Sequence, residues 1–195
     1  MSQNASAKHF LPLWLRRCRF LPLWGGLLAM LGGCREPDRL QWDEVKQMVR
    51  TRFPGVQQLS TEQLAAWQAD EERPQPVLLD TRTPEEYAVS HLQGAVLAPD
   101  LESALQALGE APVSTPIVAY CSVGYRSSQL AEELQQHGYG NTFNLEGSLF
   151  QWANEHRPLY QNERRVEQAH PYDARWGVLL EAELHADTPK QATSP

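Results

Sequence analysis

Apolar residues recur at helical spacing over positions 40–53, where Leu40, Val45, Met48, Val49 and Phe53 share a face and Pro54-Gly55 stops the run. A short strand is expected over 56–59. Ser60 then acts as N-cap, with Gln63 three residues on completing a capping box for a helix running through Trp67. After a proline-rich loop at 73–76 the pattern becomes a repeating alternation. Apolar runs at 77–79, 95–98 and 116–120, and a strand candidate at 142–145, are each followed by a helical stretch, at 84–89, 101–108, 127–137 and 148–155. Short runs with no polar alternation belong to strands buried on both faces. Alternated with helices, they predict an α/β domain with a mainly parallel central sheet flanked by helices. Beyond it, Val178, Leu179, Leu180 and Leu184 predict an amphipathic helix in a C-terminal extension over 161–185. Residues 186–195 are polar, carry two prolines and are expected to be disordered.

The first 33 residues follow a different rule. They hold Lys8, Arg16, Arg17 and Arg19 and no acidic residue, and the basic stretch precedes an uncharged apolar run of 14 residues, 20–33. A bilayer-spanning helix needs about 20 residues, so the run fits a signal peptide rather than a membrane span. It ends in Leu31-Gly32-Gly33-Cys34. Small residues before a cysteine resemble the lipobox of bacterial lipoproteins, which implies cleavage before Cys34 and lipidation of its thiol. The expected division is a signal peptide over 1–33, a lipidated tether and helix over 34–55, and a domain over 56–160. Arg35 stands where an inner-membrane retention signal would have Asp, which favours a periplasm-facing anchor in the outer membrane.

Removing the leader changes the charge balance. From Cys34 onward the chain carries 13 basic and 24 acidic residues, a body without the cations that nucleic-acid binding requires. The cysteine count changes as well: Cys18 leaves with the leader, Cys34 takes the lipid, and Cys121 alone remains. No pair is left for a disulfide, no C-x-x-C motif exists, and no histidine has ligand spacing, so neither a metal nor a cofactor is expected.

Cys121 directly follows the most hydrophobic predicted strand, and ligands of parallel sheets sit beyond the carboxyl ends of strands. In Cys121-Ser122-Val123-Gly124-Tyr125-Arg126-Ser127, Gly124 permits a positive-φ kink and a helix is expected to start near Ser127. Backbone N–H groups in such a turn converge on a small anion. With the helix N-terminus and the Arg126 guanidinium they favour the Cys121 thiolate.

This loop resembles the C-x-x-G-x-R-S/A active-site loop of rhodaneses, and three more segments agree in order. Leu78-Leu79-Asp80-Thr81-Arg82-Thr83-Pro84-Glu85-Glu86-Tyr87 resembles L-L-D-V-R-x-P-x-E-Y, and His91-Leu92-Gln93-Gly94-Ala95 resembles G-H-I-P-G-A. Asn144-Leu145-Glu146-Gly147-Ser148 with Trp152 resembles L-x-G-G-x-x-x-W. The departures are Thr81 for Val, Ser90 for Gly, Gln93 for Pro and Ser148 for the second Gly.

The resemblance implies a ping-pong sulfurtransferase. Cys121 takes the outer sulfur of thiosulfate or a persulfide, holds it as a persulfide, and passes it to a thiol or cyanide. Cys121 and Arg126 are then the catalytic residues, and Ser122, Val123, Gly124, Tyr125 and Ser127 cradle the sulfur. Asp80 and Arg82 are substrate-binding candidates beside a structural reading as an ion pair or cap. The resemblance makes His91 a structural hydrogen-bonding residue, and Trp152 is read as core. Residues 170–177 carry two readings, an aromatic and basic lid or a turn docking the C-terminal helix, of which the second is favoured. Two rival functions stand beside the enzyme. One is a non-catalytic module binding an envelope protein partner, against which the retained Cys121 and Arg126 argue. The other is a phosphatase of the same fold, which would need five residues between cysteine and arginine where this chain has four.

Overall fold

Ile117, Val118, Ala119 and Tyr120 are all inaccessible to solvent and form the middle of the central sheet. The computed structural model describes residues 40–187, which fall in one compact unit. In chain order the elements are α1 (Trp42–Arg52), β1 (Gln57–Leu59), α2 (Thr61–Ala69), β2 (Val77–Asp80), α3 (Pro84–Val89), β3 (Val96–Leu97), α4 (Leu101–Leu108), β4 (Ile117–Tyr120), α5 (Tyr125–Gln136), β5 (Thr142–Leu145), α6 (Ser148–Asn154), β6 (Leu159–Gln161) and β7 (Arg164–Val166). Strands β1 to β5 form a five-stranded sheet in the order β1-β5-β4-β2-β3. Every pairing in it is parallel, as the apolar runs require.

Both faces of the sheet are covered. Leu78, Val118 and Tyr120 point to one side, among Val45, Leu64, Trp67, Leu149 and Phe150 from α1, α2 and α6. Leu79 and Ile117 point to the other, among Ala104, Leu108, Leu130 and Leu134 from α4 and α5. Helix α1 also reaches α5. Val49 and Phe53 pack on Ala131, and the Phe53 ring meets the edge of Tyr125 at 5.2 Å. The Ser60–Gln63 capping box forms as the sequence predicts, with bonds of 3.1 and 2.8 Å.

Three expectations are corrected. Helix α5 begins at Tyr125 rather than near Ser127, because Gly124, at φ +105°, occupies the N-cap. The C-terminal helix does not form. Residues 177–184 make two 3-10 turns, Gly177–Leu179 and Ala182–Leu184, separated by extended backbone at Leu180 and Glu181. The carbonyls that a helix would use internally go to tertiary donors instead: Asn154 Nδ2 donates to Leu179 O at 2.8 Å, and His185 Nε2 lies 3.1 and 3.2 Å from Gly177 O and Leu180 O. The segment still buries Leu179, Leu180 and Leu184 in the core beside α6. Finally, the polar tail cannot start at 186, since the Ala186 N–H donates to Ala169 O at 2.9 Å. The expected leader and the expected lipidation of Cys34, like residues 188–195, lie outside the described residues. Among the described residues no helix is long and apolar enough to cross a membrane.

Candidate active site

Strand β4 delivers Cys121 to the carboxyl edge of the sheet, and the chain turns there into α5 within four residues. The turn is fixed from outside. Leu149 and Phe150 N–H groups at the start of α6 donate to Cys121 O and Ser122 O at 3.1 and 3.0 Å. The Cys121 N–H donates to Ser148 Oγ at 3.2 Å, and the Ser128 hydroxyl holds Gly124 O at 2.7 Å. With the loop carbonyls engaged outward, the Gly124 N–H donates to Cys121 Sγ at 3.1 Å. A Cβ at residue 124 would stand 3.2 Å from Asn144 Nδ2 at a backbone conformation suited to glycine. Ser127 is fully buried, its hydroxyl donating to Asn144 Oδ1 at 2.6 Å.

Burial of the Cys121 sulfur opposes ionisation, yet the thiol lies below its ordinary range. The opposing contribution is outweighed first by Arg126, then by the backbone N–H groups of Ser127 and Gly124. Arg126 is set on the first turn of α5. Its Nη1 and Nη2 donate to the Glu86 carboxylate at 2.8 and 2.9 Å, and Nη2 also reaches Ser122 Oγ at 3.1 Å. Ser122, expected among the residues that cradle the sulfur, is buried and donates its hydroxyl to Glu86 Oε1 at 2.9 Å. Burial pushes the Glu86 carboxyl up, but hydrogen bonding and charge from Arg126 and the Thr83 backbone bring it down to about 2.

Asp80 and Arg82, named as substrate-binding candidates, do not reach the sulfur cavity. Both are completely buried and pair with each other, Nε to Oδ1 at 2.9 Å and Nη2 to Oδ2 at 2.6 Å. Two residues apart at the end of β2, they turn inward, and Arg82 Nη2 also donates to Ser90 O at the C-terminus of α3. The pair braces the helix that presents Glu86. His91 stacks on Tyr87 at 4.0 Å, with Nδ1 3.1 Å from Tyr87 O. The buried Trp152 donates its Nε1 proton to Pro158 O at 3.0 Å.

The cavity at Cys121 has a volume of about 140 Å³ and is lined by Cys121, Ser122, Val123, Tyr125, Arg126, Tyr172 and Trp176. The lid reading of residues 170–177 thus gains two wall residues, while the docking reading loses its helix, the leucines that follow packing into the core from two 3-10 turns. Sequence reasoning also missed Glu86 and Ser148. Glu86 had a local signal, since Thr83-Pro84-Glu85-Glu86 is a capping box that fixes a carboxylate at the start of α3. Among the described residues no cluster of three or more His, Cys, Asp or Glu side chains is arranged to hold a metal ion.

A strand-delivered cysteine in a tight strand-to-helix loop, with an arginine on the first turn of the following helix, forms a buried cysteine site at the carboxyl edge of a parallel α/β sheet. Residues 60–155 match the rhodanese-like domain family. A sulfurtransferase from Allochromatium vinosum is 34% identical over 104 residues, covering 53% of this chain and 94% of that protein. The chain belongs to the rhodanese-like family. A probable adenylyltransferase/sulfurtransferase MoeZ from Mycobacterium tuberculosis is 30% identical over 82 residues, 42% of this chain but only 21% of that longer protein. The crystal structure of thiosulfate sulfurtransferase from Pseudomonas aeruginosa shares the fold, with a TM-score of 0.52 at 21% identity over 64% of this chain and 23% of that one.

Proposed function

We propose that this chain is a sulfurtransferase that stores one sulfane sulfur as a persulfide on Cys121. The thiolate attacks the outer sulfur of thiosulfate or of a persulfide. An Sγ–S bond forms, the donor S–S bond breaks, and its electron pair leaves on sulfite or on a thiolate. A thiol or cyanide then attacks the outer sulfur and regenerates the Cys121 thiolate. Loop N–H groups stabilise the anionic persulfide as an oxyanion hole stabilises oxygen, and Arg126 holds the thiolate form. The observation that carries this reading is the Gly124 N–H donating to Cys121 Sγ at 3.1 Å beside Arg126. The order of basic stretch, apolar run, glycines and Cys34 supports export and a lipid anchor facing the periplasm.

The test is peptide mass at Cys121 in the purified chain. A sulfane donor should add one sulfur there, and cyanide should remove it as thiocyanate. Cys121→Ser should abolish both signals, because a serine hydroxyl stays protonated and stores no sulfur. Turnover at the wild-type rate in Cys121→Ser would sink the reading. Failure of every donor to load Cys121 would leave the partner-binding module.

A further inference from the structure

Tyr172 and Trp176 stand outside the family match at 60–155, yet they wall the Cys121 cavity. Their segment is built rather than loose. The Tyr172 N–H donates to His170 Nδ1 at 2.9 Å. The Arg175 and Trp176 N–H groups donate to Asp173 Oδ1 at 2.9 and 2.8 Å, and the Gly177 N–H donates to Asp173 O at 2.8 Å. Leu179 and Leu180 root it in the core. The Tyr172 ring lies 4.9 Å from the Arg126 guanidinium, whose other side is held by Glu86.

This placement bears on what enters. Arg126 is already neutralised by a carboxylate and covered by a ring, and Ser122 adds no cation, so the cavity holds no unpaired charge for a dianion. Among the residues that line the cavity, Arg126 alone carries a positively charged side chain. Val123, Tyr125, Tyr172 and Trp176 make the walls apolar, and 140 Å³ is close to the roughly 150 Å³ of an apolar cavity that accepts a benzene ring.

We propose that Tyr172 and Trp176 make Cys121 selective for sulfane donors with one negative charge and a flat apolar substituent, over the compact dianion thiosulfate. The proposal rests on the sulfur-transfer reading and names its donor class. With an aryl thiosulfonate, the Cys121 thiolate takes the terminal sulfur and the sulfur–sulfur bond of the donor breaks. An aryl sulfinate departs with the electron pair, and no external oxidant or reductant is needed. Aryl and roof then stack edge to face or offset, as aromatic pairs do.

The experiment compares benzenethiosulfonate with thiosulfate on the full chain in mild detergent, with cyanide as acceptor. Each rate is divided by that donor's reactivity toward a free thiol. The corrected kcat/KM ratio should favour the aryl donor at least tenfold. Trp176→Ala and Tyr172→Ala should lower that ratio about tenfold, through KM for the aryl donor, whereas Tyr172→Phe should keep it. Thermal melts establish that each variant is folded, and the wild-type ratio decides the matter if an alanine variant is not. A wild type that prefers thiosulfate, or a folded double alanine variant with an unchanged ratio, overturns the proposal. Inorganic polysulfide separates the two readings. Sulfur uptake at Cys121 from polysulfide without aryl preference sinks this proposal alone, while no uptake from any of the three donors sinks sulfur transfer and this proposal with it.

Discussion

Glu86 grips Arg126 through two hydrogen bonds of 2.8 and 2.9 Å while its Oε2 also accepts the Thr83 N–H at 3.0 Å. The same carboxylate therefore closes the first turn of α3 and fixes the guanidinium beside the Cys121 loop. With Glu86 2% exposed and Arg126 one-third exposed, the pair is sheltered enough to affect stability. The Glu86 carboxyl sits at about 2 rather than 4.5. A depressed carboxyl stabilises the fold fully above its unfolded value and loses that contribution as pH falls through its folded value. Glu86→Gln should thus cost of order 3 kcal/mol at pH 7, and its difference from wild type should shrink between pH 4.5 and 2. Urea unfolding across that range checks it. A difference that does not change with pH would refute the pairing as its cause.

Arg126 is the foremost of the influences that lower the Cys121 thiol. Arg126→Ala should move the midpoint of Cys121 alkylation by iodoacetamide to higher pH, and Arg126→Lys should move it less. Sulfur transfer should fall about a hundredfold in the alanine variant, the usual cost of one charge-stabilising donor. An unmoved alkylation midpoint in a folded Arg126→Ala protein would show that the loop N–H groups alone set the thiol.

The sheet and the loop were legible in sequence because their causes are local. The apolar run 116–120 needs burial on both faces, and Gly124 marks the one turn residue that tolerates φ +105°. What escaped depends on chain segments far apart in sequence. The Glu86–Arg126 bond spans 40 residues, and no periodicity links them. The spacing of Leu179, Leu180 and Leu184 reads as helix, but only the fold shows Asn154 and His185 claiming the carbonyls that a helix would need. Asp80 and Arg82 carry two readings in sequence, substrate contact or an ion pair, and it is their complete burial and mutual hydrogen bonds that decide for the pair. Tyr172 and Trp176 reach the cavity through a path set by those same buried leucines.

The anchor is tested apart from the chemistry. If Cys34 carries lipid, labelled palmitate should enter the wild-type chain, and Cys34→Ala should accumulate as an unprocessed precursor. Normal processing and membrane retention of Cys34→Ala would remove the lipoprotein reading and leave the Cys121 site untouched.

Ser148 adopts φ +50°, a conformation that favours glycine, and stands where the family pattern has its second glycine. A serine there bears a backbone cost, of order 1 kcal/mol. What offsets it is the hydroxyl, which accepts the Cys121 N–H at 3.2 Å and donates to Leu145 O at 2.9 Å. Ser148 is fully buried, so water cannot replace a lost acceptor, and an orphaned buried N–H costs about 1–3 kcal/mol. Two substitutions separate these contributions. Ser148→Ala keeps the strain and loses both bonds, and should destabilise by about 2 kcal/mol. Ser148→Gly loses the bonds but relieves the strain, and should cost about 1 kcal/mol less than alanine. Both should slow sulfur transfer, because the N–H of the nucleophile residue is no longer held. Denaturant midpoints give the stability order, expected as wild type, then glycine, then alanine. A glycine variant as stable and as active as wild type would mean that the Ser148 hydroxyl does not position Cys121.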